Sequence, residues 1–114
     1  MKIVSFLVSS ILFFSVISFA EIKNYGPGSE TCGSYVRVRE LARSGDRPSR
    51  VGEIAYHSWF KGFATKFSID LKSDVLKKKG DNELYLWLEN HCKANPLKPF
   101  LSASLALLVA IGKE

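Results

Sequence analysis

The stretch RVGEIAYHSWFKGFATKF, residues 50–67, carries the strongest structural pattern in the sequence. Apolar and small residues recur along it at steps of one, three and four, which is the spacing of one face of an α helix. The residues of that face are Ile54, Ala55, Ser58, Trp59, Gly62, Phe63 and Phe67. Because no other segment after residue 20 is as aromatic, we predict that a helix over residues 50–67 forms the centre of the core.

Three further apolar residues and Gly62 refine the prediction for this helix. Tyr56, Phe60 and Ala64 widen its apolar side. Gly62 lies on the apolar face, although a glycine inside a helix costs about 1 kcal/mol relative to alanine. We therefore expect another helix to approach the chain closely at Gly62.

Three more helices are predicted, over residues 30–43, 81–94 and 96–111. Their expected N-caps are Ser29, Asp81 and Asn95, and Pro96 suits the first position of the last helix. The segments 44–49 and 68–80 have the charge and turn composition of loops. Since no strand-like alternation exceeds four residues, the sequence predicts an all-α, four-helix domain over residues 29–114.

The first twenty residues have the pattern of a secretory signal peptide. Lys2 is followed by an apolar stretch at residues 3–19, and the positions before the expected cut are Ser18, Phe19 and Ala20, two small residues on either side of a larger one. A membrane anchor is the alternative, but the stretch is at the short end of the roughly 17–25 residues that span a bilayer.

We therefore predict a signal peptide over residues 1–20 and a flexible lead-in over residues 21–28. The predicted location is the periplasm, or the outside of a cell that has no outer membrane. In such an oxidising compartment, an even number of cysteines in a short chain indicates a disulfide. The only pairing joins Cys32 to Cys92, and it closes a loop of about 60 residues, worth roughly 4 kcal/mol. This disulfide ties the first predicted helix to the third.

The formal net charge of +5 at pH 7 is spread along the chain. An exported basic protein can meet anionic lipid, a wall polymer or an acidic protein, whereas the compartment disfavours nucleic acid. The run Lys77–Lys79 lacks aromatic interleaving and is best explained as a solvated turn. The sequence leaves open whether the protein also contacts a membrane surface.

The two histidines offer little for catalysis. His57 has Glu53 four residues before it and Ser58 beside it, but adjacent residues on a helix do not face each other. His91 lies beside Cys92. No spacing suits a metal ion or a phosphate loop, so we predict no catalytic residue, no metal, no cofactor and no enzymatic activity.

The candidate binding residues are aromatic or titratable: Trp59, Phe63, Phe67, His57 and His91. The three aromatic residues form a possible groove for a partner, with an ordinary core as the alternative. The two histidines are the side chains that change charge below neutral pH.

Three pieces of the sequence carry a family resemblance: SETCGSY at residues 29–35, WFKGF at residues 59–63 and WLENHCKANPL at residues 87–97. Their layout resembles small exported bacterial proteins grouped with the acid-stress chaperones HdeA and HdeB. It is also similar to the periplasmic immunity proteins that protect against cell-wall amidases delivered by type VI secretion. In both groups a signal peptide precedes a helical domain whose cysteine pair links an early helix to a late one.

The two resemblances imply different activities. The chaperones imply that acid loosens the fold and exposes apolar surface to unfolded clients, although the arginine-rich first helix here has little acidic surface to neutralise. The immunity proteins imply a neutral-pH complex with one toxin, through residues 44–49 or 69–80. We therefore predict a non-catalytic periplasmic protein that binds a protein partner or an unfolded client. The alternatives are an accessory of an envelope conjugation or secretion system and a small wall-active or lipid-active enzyme, and the oligomeric state stays open.

Overall fold

A computed structural model describes residues 26–114, which form four α helices and a 3-10 turn and contain no β strand. The 3-10 turn spans Gly26–Ser29, and the helices are α1 (Cys32–Arg43), α2 (Arg47–Leu71), α3 (Asp81–Ala94) and α4 (Phe100–Gly112). The predicted all-α, four-helix fold is confirmed. The predicted signal peptide and residues 21–25 of the lead-in lie outside the described residues. Within residues 26–114, no helix is both long enough and apolar enough to cross a membrane.

The disulfide between Cys32 and Cys92 is present and joins α1 to α3, as predicted, with the two Cα atoms 4.7 Å apart. Both cysteines are fully buried. The cross-link therefore lies inside the core, where the first turn of α1 meets the last turn of α3.

The first helix begins two residues later than predicted. Ser29 does not cap it, because Ser29 belongs to the 3-10 turn and its hydroxyl donates to the carbonyl of Gly26. Thr31 is the N-cap instead, and its Oγ1 accepts from the backbone N–H of Ser34 at 3.2 Å.

The second helix is longer than predicted at both ends. Asp46 caps it by accepting from the N–H of Ser49 at 3.0 Å, and Pro48 fits the first turn, where a missing N–H costs nothing. The helix ends at Leu71 because Lys72 adopts a left-handed conformation, with φ at 54°.

The side of α2 that packs into the core differs from the predicted side. Tyr56, Phe60 and Ala64 are the buried residues of this helix, whereas Trp59 and Phe63 are only partly buried. The expectation for Gly62 is wrong: it is exposed, and no atom lies within 4 Å of the position that a Cβ would take.

The fourth helix begins at Phe100, so the prediction of Pro96 as its first residue is wrong. The segment before it pairs with the start of α1: the N–H groups of Cys32 and Gly33 donate to the carbonyls of Lys98 and Pro96 at 2.7 and 2.9 Å. These bonds satisfy N–H groups that a helix N-terminus leaves free. They hold the segment extended, so α4 starts only after it.

Phe100 is at the centre of the aromatic core. Its ring centroid lies 4.6 Å from that of Tyr35 on α1 and 5.0 Å from that of Tyr56 on α2. Leu84 and Leu88 of α3 complete this cluster. The helices α1, α2 and α3 thus converge on one apolar centre, and the polar side chains around its edge form the candidate site.

Candidate functional site

A cluster of polar side chains lies where α1, α2 and α3 meet. We call it the polar junction, and its members are Tyr35, Arg39 and Arg43 of α1, Glu53 and His57 of α2, and Tyr85, Glu89 and Lys93 of α3. Polar groups at such depth are stable only when they are paired. The contacts among them form two groups: Tyr35, His57 and Tyr85 in one, and Arg39, Arg43, Glu53, Glu89 and Lys93 in the other.

Glu89 is the anionic centre of the polar junction. The residue is 1% exposed, and its carboxylate accepts from Arg39 Nε at 3.0 Å, from Lys93 Nζ at 3.2 Å and from the guanidinium of Arg43. Burial alone raises the pKa of Glu89, but the hydrogen bonds from Arg43, Lys93 and Arg39 outweigh it and lower the pKa to about 2. Glu89 is therefore an anion in all but strongly acidic solution.

Arg39 links the three helices. Its Nε binds Glu89 on α3, and its Nη1 lies 3.2 Å from Oε2 of Glu53 on α2. A planar guanidinium presents several donors in a fixed fork, which suits it to two carboxylates at once. Sequence analysis placed Glu53 near His57, whereas the ion-pair partner of Glu53 is Arg39.

His57 is held between two tyrosines. Its Nε2 lies 2.8 Å from the hydroxyl oxygen of Tyr35, and its ring stacks on that of Tyr85 with centroids 3.4 Å apart and planes within 3°. The Tyr35 hydroxyl also donates to the carbonyl of Tyr85, at 3.5 Å. His57 thus joins α2 to both α1 and α3.

The surroundings of His57 favour the neutral imidazole. The pKa of His57 is lowered to about 4. Burial is the largest cause of this lowering, and the positive charges of Arg39 and Lys61 lower the pKa further, whereas the negative charge of Asp81 raises it. Burial also raises the pKa of the Tyr35 phenol above its ordinary value. At neutral pH the Tyr35–His57 hydrogen bond is therefore a contact between two uncharged groups.

One edge of His57 faces an open groove. The groove is lined by Ile54, His57, Ser58, Lys61, Asp81 and Tyr85. Lys61 and Asp81 are in direct contact across it. No hydroxyl other than that of Tyr35 hydrogen-bonds to His57 within residues 26–114, and a buried phenol of raised pKa is a poor nucleophile. The arrangement is suited to reversible uptake of a proton from solvent.

The predicted aromatic residues lie elsewhere on α2. The rings of Trp59 and Phe63 stack with centroids 5.4 Å apart, and both residues, like Phe67, are partly buried against the core. Trp59 also packs against Phe100 of α4, at 5.9 Å. The structure therefore brings the three aromatics to one side of α2 but does not bring His57 or His91 to them.

The 3-10 turn covers Trp59. A Cβ at Gly28 would lie 2.1 Å from Cζ2 of Trp59, so only glycine allows this approach. Gly26 opens the turn with a φ of 78°. The last three residues of the predicted lead-in are thus folded onto the domain.

His91 is separate from the polar junction. It stacks on Trp87, one turn earlier in α3, with ring centroids 5.0 Å apart. Its backbone carbonyl accepts from Nδ2 of Asn95 at 2.9 Å. Its side chain therefore belongs to the surface of α3 near the disulfide.

Sequence analysis did not single out Glu89, Arg39, Arg43 or Lys93. Two signals were present: Glu89 and Lys93 are four residues apart, as are Arg39 and Arg43, and such pairs lie on one side of a helix. The sequence does not show that α1 packs on α3. This packing buries the Glu89 carboxylate among Arg39, Arg43 and Lys93.

The chain matches no protein-family model, no curated protein and no solved structure in comparisons with each. Residues 26–114 contain no group of three or more His, Cys, Asp or Glu side chains that could hold a metal ion. The fold and the site define a small disulfide-linked helical protein with a partly buried polar cluster where three helices meet.

Proposed function

We propose that this protein is a non-catalytic binding protein of the cell envelope that binds unfolded or partly folded protein clients when acid loosens its helices. The observation that supports this proposal is the position of His57, neutral and partly buried between Tyr35 and Tyr85 with Arg39 nearby. A buried histidine that must gain a charge on acidification is a source of acid instability.

The sign of the effect follows from the pKa of His57. Its folded-state pKa of about 4 is below the ordinary 6.5, so the unfolded chain takes up the proton first. The stability that the neutral histidine contributes is complete above pH ~6.5 and is lost as the pH falls towards 4. The loss is smaller than the ~3 kcal/mol that the same shift would give for a fully buried group, because His57 is partly exposed to solvent.

Protonated His57 weakens the attachment of α1. The imidazolium faces two cations, Arg39 and Lys61, and one carboxylate, Asp81. Repulsion from Arg39 acts on the same side chain that binds Glu53 and Glu89. Because Arg39 is the link between the three helices, this repulsion weakens the ion pairs that hold α1 to α2 and α3.

Opening of the polar junction exposes apolar surface while α1 stays linked to α3. Tyr35 of α1 packs on Tyr56 and Phe100, and all three side chains are fully buried or nearly so at neutral pH. The Cys32–Cys92 disulfide keeps the first turn of α1 attached to α3. This combination of an exposed aromatic core and a retained cross-link suits binding of a client followed by refolding when the pH rises.

The proposal is tested by following aggregation of an acid-denatured client protein with and without the oxidised protein, at pH 3 and at pH 7. We expect suppression of aggregation at pH 3 and none at pH 7. In His57→Gln the group that titrates is gone, so the onset of client binding shifts to lower pH, whereas the matched variant His91→Gln leaves the onset unchanged. Binding at pH 7 alone, or at neither pH, would contradict the proposal.

A further inference from the structure

The end of the α1–α2 hairpin exposes large aliphatic side chains. The two helices are joined by residues 44–46. Just before this turn, Leu41 of α1 is 39% exposed, and in the first two turns of α2, Val51 is 67% exposed and Ile54 is 64% exposed. Exposed aliphatic side chains that lie together on a small domain mark a contact surface more often than scattered ones do.

Arginines accompany these aliphatic residues on the same side of α2. The exposed residues of that side are Arg47, Arg50, Val51 and Ile54. Their spacing of three, one and three places them on one face of the first two helical turns. On α1, the exposed residues Arg37 and Leu41 are four apart and also share one side of their helix. We call these six residues the hairpin tip.

The three arginines of the hairpin tip are not neutralised by the domain itself. The ion pairs of residues 26–114 include none with Arg37, Arg47 or Arg50. Asp46 lies in the turn, but its carboxylate caps α2 by accepting from the backbone N–H of Ser49 at 3.0 Å. The one carboxylate of α1 is that of Glu40, which is exposed. Positive charge is therefore in excess at this end of the fold.

The neighbouring polar junction adds to this excess. Its three cations, Arg39, Arg43 and Lys93, surround only two carboxylates, those of Glu53 and Glu89. Because both carboxylates are already paired, neither is free to neutralise the hairpin tip.

From the unpaired arginines and exposed aliphatic side chains together, we propose that the hairpin tip binds the surface of an anionic lipid bilayer. Guanidinium groups donate to the phosphate oxygens of the lipid. The aliphatic side chains enter the boundary between the head groups and the acyl chains, as in helices that lie on a membrane surface. The inference does not rest on the client binding proposed above. It concerns the folded protein at neutral pH and stands if that proposal fails.

A bilayer fits the hairpin tip better than an acidic protein does. On the first two turns of α2, charged and aliphatic residues are mixed, whereas the centre of a protein interface is depleted of charge and its polar groups lie at the rim. An anionic bilayer presents phosphate groups all along its surface with apolar chains directly beneath them. Mixed arginine and aliphatic side chains can therefore both find partners at the same depth.

Vesicle binding tests the charge of the partner. The oxidised protein, as the cell produces it, is centrifuged at pH 7 with vesicles of phosphatidylcholine alone or with about 30% phosphatidylglycerol added as the anionic lipid. We expect binding to the mixed vesicles only, and weaker binding as the salt concentration rises. Equal binding to both kinds of vesicle, or binding to neither, would overturn the proposal. Binding to soluble polyglutamate but not to the mixed vesicles would assign the surface to an acidic protein and would also overturn it.

Two matched pairs of variants locate the contact. Arg50→Gln should weaken binding to the mixed vesicles about five-fold, whereas Lys78→Gln, exposed beyond the far end of α2, should weaken it less than about two-fold because screening limits its reach. Ile54→Ser should weaken binding about ten-fold, whereas Ile69→Ser, at 66% exposed on the same helix, should leave it unchanged. All four side chains are exposed, so the domain stays folded. Equal effects within either pair would contradict binding through the hairpin tip.

Discussion

The hydroxyl of Tyr35 on α1 lies 2.8 Å from Nε2 of His57 on α2. This contact joins two helices through an imidazole that is neutral at physiological pH, and the same imidazole stacks on Tyr85 of α3. One of the contacts that attach α1 to the other helices is therefore made by a side chain that can take up a proton.

The free energy of unfolding should fall in two stages as the pH is lowered. The first stage, between pH ~6.5 and 4, reports His57, whose folded-state pKa is about 4. The second, below pH ~4, reports Glu89, because stability from a carboxyl with a lowered pKa, here about 2, is lost as it becomes protonated. Urea unfolding at a series of pH values measures both. In His57→Gln the first stage should be absent, and a full first stage in that variant would refute its assignment to His57.

Glu89→Gln should destabilise the protein by about 3–5 kcal/mol, since removal of one partner leaves the other charges of a buried cluster uncompensated. Arg39, 15% exposed, and Arg43 would lose their shared acceptor. Glu40→Gln, at an exposed position of α1, is the matched control and should change stability by less than about 0.5 kcal/mol. Chemical denaturation at pH 7 compares the two, and equal effects would show that the buried network contributes little.

Cys92→Ser should lower the free energy of unfolding by about 2–5 kcal/mol. The bond closes a loop with a sequence separation of 60, so its loss frees the unfolded chain as well as the start of α1. The melting temperature of the variant, compared with that of the oxidised wild type, measures the effect. An unchanged melting temperature would mean that the disulfide does not stabilise the fold.

Gly28→Ala should detach the 3-10 turn from Trp59, because the added Cβ would overlap the indole ring at 2.1 Å from Cζ2. Gly62→Ala is the contrasting change: open space surrounds it, and alanine is the better helix former by about 1 kcal/mol. We expect a lower melting temperature for the first variant and a higher one for the second. A Gly28→Ala variant as stable as wild type would show that the turn is not held by Trp59.

The sequence was informative about the fold where the pattern is local. The spacing of apolar residues indicated each helix, and the pair of cysteines indicated the link between α1 and α3. The start of α4 was misplaced because Pro96 satisfies the local rules for a helix start, while the actual start depends on a long-range pairing of residues 96–98 with Cys32 and Gly33. A single sequence does not show such pairings.

The site was harder to predict for the same reason. His57 was among the candidates because of its chemistry, but its partners Tyr35 and Tyr85 lie 22 and 28 residues away in the chain and meet it only through helix packing. On α2, the spacing of Trp59, Phe63 and Phe67 indicates that they form the main core-facing side of the helix. The more deeply buried residues are instead Tyr56, Phe60 and Ala64. The two faces are adjacent and both apolar, so periodicity alone did not separate them.

The measurement that tests the central claim most directly is an NMR titration of the His57 imidazole, assigned by comparison with His91→Gln, alongside the dispersion of the methyl and aromatic signals of the core. We predict that His57 titrates with a pKa of about 4 and that the signals of Tyr35 and Phe100 lose their dispersion over the same pH interval. A His57 that titrates near 6.5, with the core signals unchanged as it gains its proton, would contradict the account.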